Sequence, residues 1–237
     1  MRSHVLSNLK YIFILGITSI TLFNSIVYYS LQFTQVISGV LMISTIPVMI
    51  IFFSSLLKIE KTNFYQIMGV LFSMLGVIAI ITQINEEKIR ELRFNKGDLS
   101  IIIAMLSWAL YSALLKKKKL ELSQFSLLQI IISSGLLCLL PIYLVEMSQG
   151  YYVTLEKPFV LTLAYVVLFP GLASFICWIK GIAIIGANRS GIFLHLMPIF
   201  STIMAILIFG EEFMIFHLIG AILIIVGIIL SSKGRHT

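Results

Sequence analysis

The chain has 237 residues, 59% hydrophobic and 11% charged, with a mean hydropathy of +1.05; soluble domains hold about 45–50% apolar and about 25% charged residues, so a water-soluble globular fold is excluded. The net charge of +7 and pI near 9.4 would suit a nucleic-acid binder, but the Lys and Arg residues fall in short connections between apolar runs, the placement that sets membrane topology. Cys138 and Cys177 lie inside apolar runs, with neither a metal-ligand spacing nor a disulfide framework, and are read as free, packed thiols.

The opening MRSHVLSNLK leads into an apolar run over residues 11–31. That run is longer than the roughly 7–15 residues of a signal-peptide core and lacks a small-residue cleavage site, so it is read as an uncleaved membrane span. Thr21, Asn24, Ser25, Tyr28 and Gln32 recur in it at steps of three and four, which places them on one helix face. In hydrocarbon such a face must meet protein or a wet cavity; hydrogen bonding to neighbouring helices and lining of a substrate cavity are both open. Spans two and three cover residues 36–57 and 64–82, joined by the tight turn KIEKTN. The long polar stretch that follows, residues 84–97, is read as an extracytoplasmic linker between two halves. The fourth span, 98–115, ends at Lys116, Lys117, Lys118 and Lys119, a strong cytoplasmic anchor rather than a nucleic-acid patch. The fifth, 125–145, carries Pro141 near its end, and the sixth, 159–180, is interrupted by Pro170 and Gly171. Spans seven and eight, 190–209 and 213–231, precede a short tail, 233–237.

Eight spans put both termini on one side. The connections assigned to that side carry Arg2, Lys10, Lys58, Lys61, Lys116 to Lys119, Lys180, Arg189, Lys233 and Arg235, against five basic residues on the other. Both termini are therefore read as cytoplasmic.

A shift of 151 residues lays Pro198 on Pro47, Glu211 on Glu60, Gly220 on Gly69 and Gly227 on Gly76 without a gap. Apolar runs align by chance, whereas a proline, an acid and two glycines seldom do, so the pattern describes a duplication. The two proline-containing spans are an odd number of crossings apart, so the copies run in opposite directions. The predicted fold is an all-α membrane protein with eight transmembrane helices from an inverted five-plus-five repeat lacking its first two helices. Residues 1–83 form a partial first repeat and 98–232 a complete second one. Inverted copies allow two packings of similar energy, one open to each side, the basis of alternating access.

Pro47, Pro170 and Pro198 are the predicted kinks, each removing a backbone donor within a helix. His195 and its counterpart Ser44 stand three residues before the last and first of these, where a polar group either satisfies the loosened backbone or, for His195, faces a central cavity. Lys180 is read either as snorkelling from the end of span six or as reaching that cavity, since charge at the bilayer centre costs at least about 2.5–3.5 kcal/mol. Asn24, Tyr28, Trp108, Tyr111 and Trp178 complete the cavity candidates, the aromatics supplying walls for an organic solute or packing at the interface. Gly69, Gly76, Gly220 and Gly227 recur at seven-residue steps, the mark of close helix packing. Glu60 and Glu211 sit at matching loop positions, suited to capping a helix start or pairing with a lysine. HExxH, GxSxG and P-loop motifs are all absent from the sequence, so no enzyme, no cofactor, no metal and no ATP coupling are expected.

The run FICWIKGIAIIGANRSGIFLHLMPIFSTIMAILIFGEE from Phe175, followed by HLIGAILIIVGIIL, resembles the second EamA domain of the drug/metabolite transporter superfamily, and GDLSIIIAMLSWALYSALLKK resembles the start of that domain. LFNSIVYYSLQFTQ and PVMIIFFSSLLKIEKTNFYQIMGVLFSMLGV are similar to the later part of the first domain. The resemblance implies a ten-helix exporter or permease of small organic solutes with two inverted five-helix repeats; the expected setting is the lipid bilayer of a bacterial cytoplasmic membrane, the expected solutes are amino acids, nucleosides or amphiphilic metabolites moved by alternating access, and a homo-oligomer is left open. A non-transporting remnant or subunit is the alternative, because the first two helices of that pattern have no counterpart here.

Overall fold

The computed structural model describes residues 7–34, 36–87, 95–118, 120, 122–153 and 156–233. Among them are eight helices long and apolar enough to cross a membrane and no strand. They are α1 (Leu9–Ser30), α2 (in two pieces, Val36–Ile43 and Ile46–Leu56), α3 (Phe64–Thr82), α4 (Lys96–Lys117), α5 (Gln124–Ser148), α6 (Lys157–Ile185), α7 (Ala187–Phe209) and α8 (Ile215–Ser232).

Local chemistry sets the helix starts. Asn63 accepts from Gln66 N at 2.8 Å while Gln66 Oε1 accepts from Asn63 N, and Asn95 and Asp98 form the same reciprocal pair at the head of α4; each box satisfies donors that a helix start leaves orphaned. Pro158 opens the first turn of α6, where its missing N–H costs nothing. Six spans run beyond an expected end: α1, α4, α5, α6 and α7 begin earlier, and α4, α5, α6 and α8 finish later. The charged and amide residues at these ends still have helical backbones, so hydropathy alone places the boundaries too far in.

The duplication is visible in the helix irregularities. The break in α2 falls at Ser44 and Thr45, and 151 residues on, α7 tightens into a 3₁₀ turn over Phe193–Leu196. Pro47 and Pro198 therefore sit in the first turn of a restarted helix rather than in a mid-helix kink. A π-helical stretch interrupts α1 at Ile17–Leu22 and α6 at Val167–Ala173, at matching positions of the two copies. In α6 the wide turn accommodates Pro170; in α1 the hydroxyls of Thr18 and Ser19 fold back onto the carbonyls of Ile14 and Leu15.

α3 and α8 make the most extensive helix–helix contact. A methyl group on Gly69 would stand 2.5 Å from the Gly227 carbonyl oxygen, and one on Gly76 2.5 Å from that of Gly220. The glycine early in α3 thus faces the one late in α8, an antiparallel register in which the backbones touch. Each pair maps onto the other under the 151-residue shift, so a two-fold relation passes between them. The main core lies where α4 is surrounded by α1 and α2, built on Leu15, Ile50, Met105, Tyr111, Ile131 and Ile182. Cys138 is partly buried, whereas Cys177 is exposed instead of packed.

Candidate functional site

An aromatic cluster closes the centre of the bundle. Trp108 on α4 has Phe23 at 4.5 Å, Tyr111 at 5.2 Å, Phe175 at 5.3 Å and Trp178 at 5.7 Å between ring centroids. Trp178 Nε1 donates to Ser112 Oγ at 3.1 Å, while Tyr111 is fully buried and its hydroxyl meets no partner among the described residues. The structure thus brings Trp108, Tyr111 and Trp178 together, with Phe23 and Phe175 added. Phenylalanines in an apolar run carry no sequence signal, although the internal shift does lay Phe175 on Asn24.

Above the cluster lies a cavity of about 270 Å³ between the two π-helical stretches, lined by Ile20, Asn24 and Tyr28 from α1, Pro170 and Phe175 from α6 and Ile132 from α5. The Asn24 Nδ2 donates to the carbonyls of Ser19 at 3.0 Å and Ile20 at 3.2 Å, and Ser107 Oγ donates to that of Thr18 at 2.8 Å. Side chains therefore satisfy three consecutive carbonyls of the π stretch. Tyr28 also borders a wider crevice of about 880 Å³ between α1 and α5, where Ser25, Tyr29, Gln32, Tyr143 and Glu146 contribute polar atoms among leucines. On the polar face of α1, Thr21 bonds the Gly135 carbonyl at 3.0 Å, while Asn24, Ser25, Tyr28 and Gln32 border open space.

The two ends of the bundle differ. At the end where α2 finishes and α7 begins, Glu60 accepts from Ala187 N at 3.0 Å and Asn188 N at 2.9 Å. It thereby caps the start of a helix in the other copy, where the dipole favours an anion. Gly186 has φ +89°, and any Cβ there would stand 2.3 Å from Glu60 Oε1, so only glycine admits the carboxylate. Near the same end Tyr11 donates to the Leu114 carbonyl. At the opposite end Glu211, the counterpart of Glu60, is exposed and has no hydrogen bond to its carboxylate among the described residues.

His195 and Lys180 stand apart from the aromatic site. His195 is fully buried, with Nε2 donating to the carbonyl of Ser44 at 2.8 Å and Nδ1 2.5 Å from Ser73 Oγ. A carbonyl only accepts, so Nε2 carries a proton. The residue bonded is its own counterpart in the other copy, which ties the two broken helices together at their restart points. Lys180 is exposed on α6 and does not line the cavity.

The fold and this geometry define a polytopic helical membrane protein with internally duplicated, antiparallel halves and its candidate cavity between them. The profile of the EamA-like transporter family matches residues 2–82 and 95–233. The chain belongs to that family. It is similar to the uncharacterized transporter YyaM of Bacillus subtilis (strain 168), 25% identical over 231 residues that cover 98% of this chain and 75% of the relative. It is also similar to the uncharacterized transporter YetK of the same strain, 29% identical over 230 residues, covering 94% and 68%. One solved crystal structure superposes with a TM-score of 0.73 over 97% of this chain and 82% of that one, at 14% identity, a likeness of fold.

Proposed function

We propose that the protein is a secondary transporter of small organic solutes that works by alternating access between its two inverted copies in the cytoplasmic membrane. The observation that carries this reading is the unequal state of two equivalent carboxylates: Glu60 caps α7 across the boundary between the copies, and the Glu211 carboxylate at the opposite end accepts no hydrogen bond among the described residues. With the basic connections facing the cytoplasm, the Glu60 end is the inner one. The arrangement is then closed inside by Glu60, Tyr11 and the aromatic cluster, and open outside along the crevice at Tyr28. In the alternative state the roles exchange, Glu211 reaching the N–H groups at the start of α2, since Val36 is the counterpart of Ala187. The expected result in proteoliposomes is gradient-driven accumulation of at least one member of a panel of amino acids, nucleosides and amphiphilic metabolites. Absence of accumulation across the whole panel would count against the reading.

A second reading rests on the first half of α6, Lys157–Val166, which buries no residue and makes no extensive contact with another helix among the described residues, whereas its counterpart in α1 packs on α5. In this reading another chain covers that face, and the protein works as one subunit of an assembly. A detergent-solubilised mass of one chain, with transport intact, would rule it out.

A further inference from the structure

We propose that the cavity of about 270 Å³ takes an uncharged solute with a flat apolar body and one N–H or O–H donor, the body against Phe175 and the donor on Asn24 Oδ1. This deepens the transport reading and rests on it. The amide orientation decides the polarity of the contact. Ser19 and Ile20 present carbonyl oxygens, which only accept, so the Asn24 NH₂ group must face them. Its oxygen is then left over, with no donor reaching it among the described residues. A ligand that bonds this oxygen does so as a donor.

Charge selection follows from what the wall lacks. Isoleucine, valine, proline, leucine and phenylalanine surround Asn24 and Tyr28, and no acidic, basic or imidazole side chain lines the cavity among the described residues. Lys180, five residues beyond Phe175 on the same helix, is exposed. An ion entering such a site loses its hydration with no counter-charge to replace it. A neutral donor loses one water contact and regains it on Asn24.

The chain's two tryptophans both stand in the cluster that shares Phe175 with the cavity, so indole emission reads occupancy without knowledge of the natural solute. The full chain in lipid nanodiscs, with empty nanodiscs subtracted, is titrated at neutral pH with 2-naphthol, 2-methoxynaphthalene, 2-naphthoate and 2-(aminomethyl)naphthalene. 2-Naphthol is expected to bind at least tenfold more tightly than its methyl ether, and both ions more weakly than the ether. Asn24→Ala is expected to reduce 2-naphthol to the level of the ether and leave the ether unchanged, while Phe175→Leu weakens both alike. Equal affinity of 2-naphthol and its ether in the unmodified protein, or tighter binding of either ion, would overturn the assignment, and neither result depends on a variant folding. The transport reading fails separately: it is lost if 2-naphthol binds in the expected order but no solute of the panel crosses proteoliposomes of the same preparation.

Discussion

The two copies share a pattern of prolines, glycines and helix breaks but not an environment. In α1 33% of the apolar stretch is buried inside the protein, against 6% in its counterpart α6; the pairs α2 and α7, and α3 and α8, differ in the same sense. In every pair the less buried helix is also the more apolar one. The direction is opposite to that in water, because lipid is as apolar as leucine and an outward face needs no polar cover. Polar groups collect instead where a helix meets protein, which is why the hydroxyls and amides of α1 bond to α5 or to its own carbonyls.

The comparison breaks most completely at the glycine crossing. Gly69→Leu forces a side chain into the Gly227 backbone and is expected to abolish monodisperse protein in detergent, with Gly220→Leu equally damaging because it meets the same contact from the other copy. Gly39→Ala, whose added carbon has only ordinary contact at 3.7 Å, is the neutral control in the same size-exclusion assay. His195→Ala leaves the Ser44 carbonyl without its donor and opens a buried void, and should cost about 2–4 kcal/mol, read as a lowered unfolding midpoint. Ser44→Ala in the other copy keeps that carbonyl and should cost less than about 1 kcal/mol.

Exchanging the caps sharpens the comparison further. Glu60→Ala removes a charge-assisted cap worth up to about 2 kcal/mol, and is expected to slow impermeant maleimide labelling of a cysteine at Tyr28 roughly tenfold as the population moves to the other state. Glu211→Ala should leave that labelling unchanged or faster. Equal slowing by both would separate the carboxylates from any gating role. A modest effect is expected of Trp178→Phe, which removes the bond to Ser112 and should lower stability by about 1 kcal/mol without changing the helical content measured by circular dichroism.

The duplication was legible in the sequence because proline, glycine and a loop carboxylate have backbone consequences that an apolar residue lacks. Which glycine faces which was not: only the antiparallel crossing shows that Gly69 meets Gly227 rather than its own counterpart Gly220. The start of α7 at Ala187 was hidden for a related reason, since its cap, Glu60, is distant in the chain. The π stretch of α1 contains no proline or glycine and announces itself only through its match to Pro170. Trp108, Tyr111 and Trp178 could be nominated as large aromatics, but the rings that complete their cluster, Phe23 and Phe175, are indistinguishable in sequence from lipid-facing phenylalanines.

The antiparallel relation of the two copies across the membrane is tested most directly by the sidedness of the paired loops. With Cys138 and Cys177 replaced, single cysteines at Lys61 and at Glu212 are labelled with an impermeant maleimide in vesicles of known orientation. The account predicts that exactly one of the two reacts before the membrane is opened, the Glu212 site in right-side-out vesicles. Labelling of both sites from the same side would contradict it.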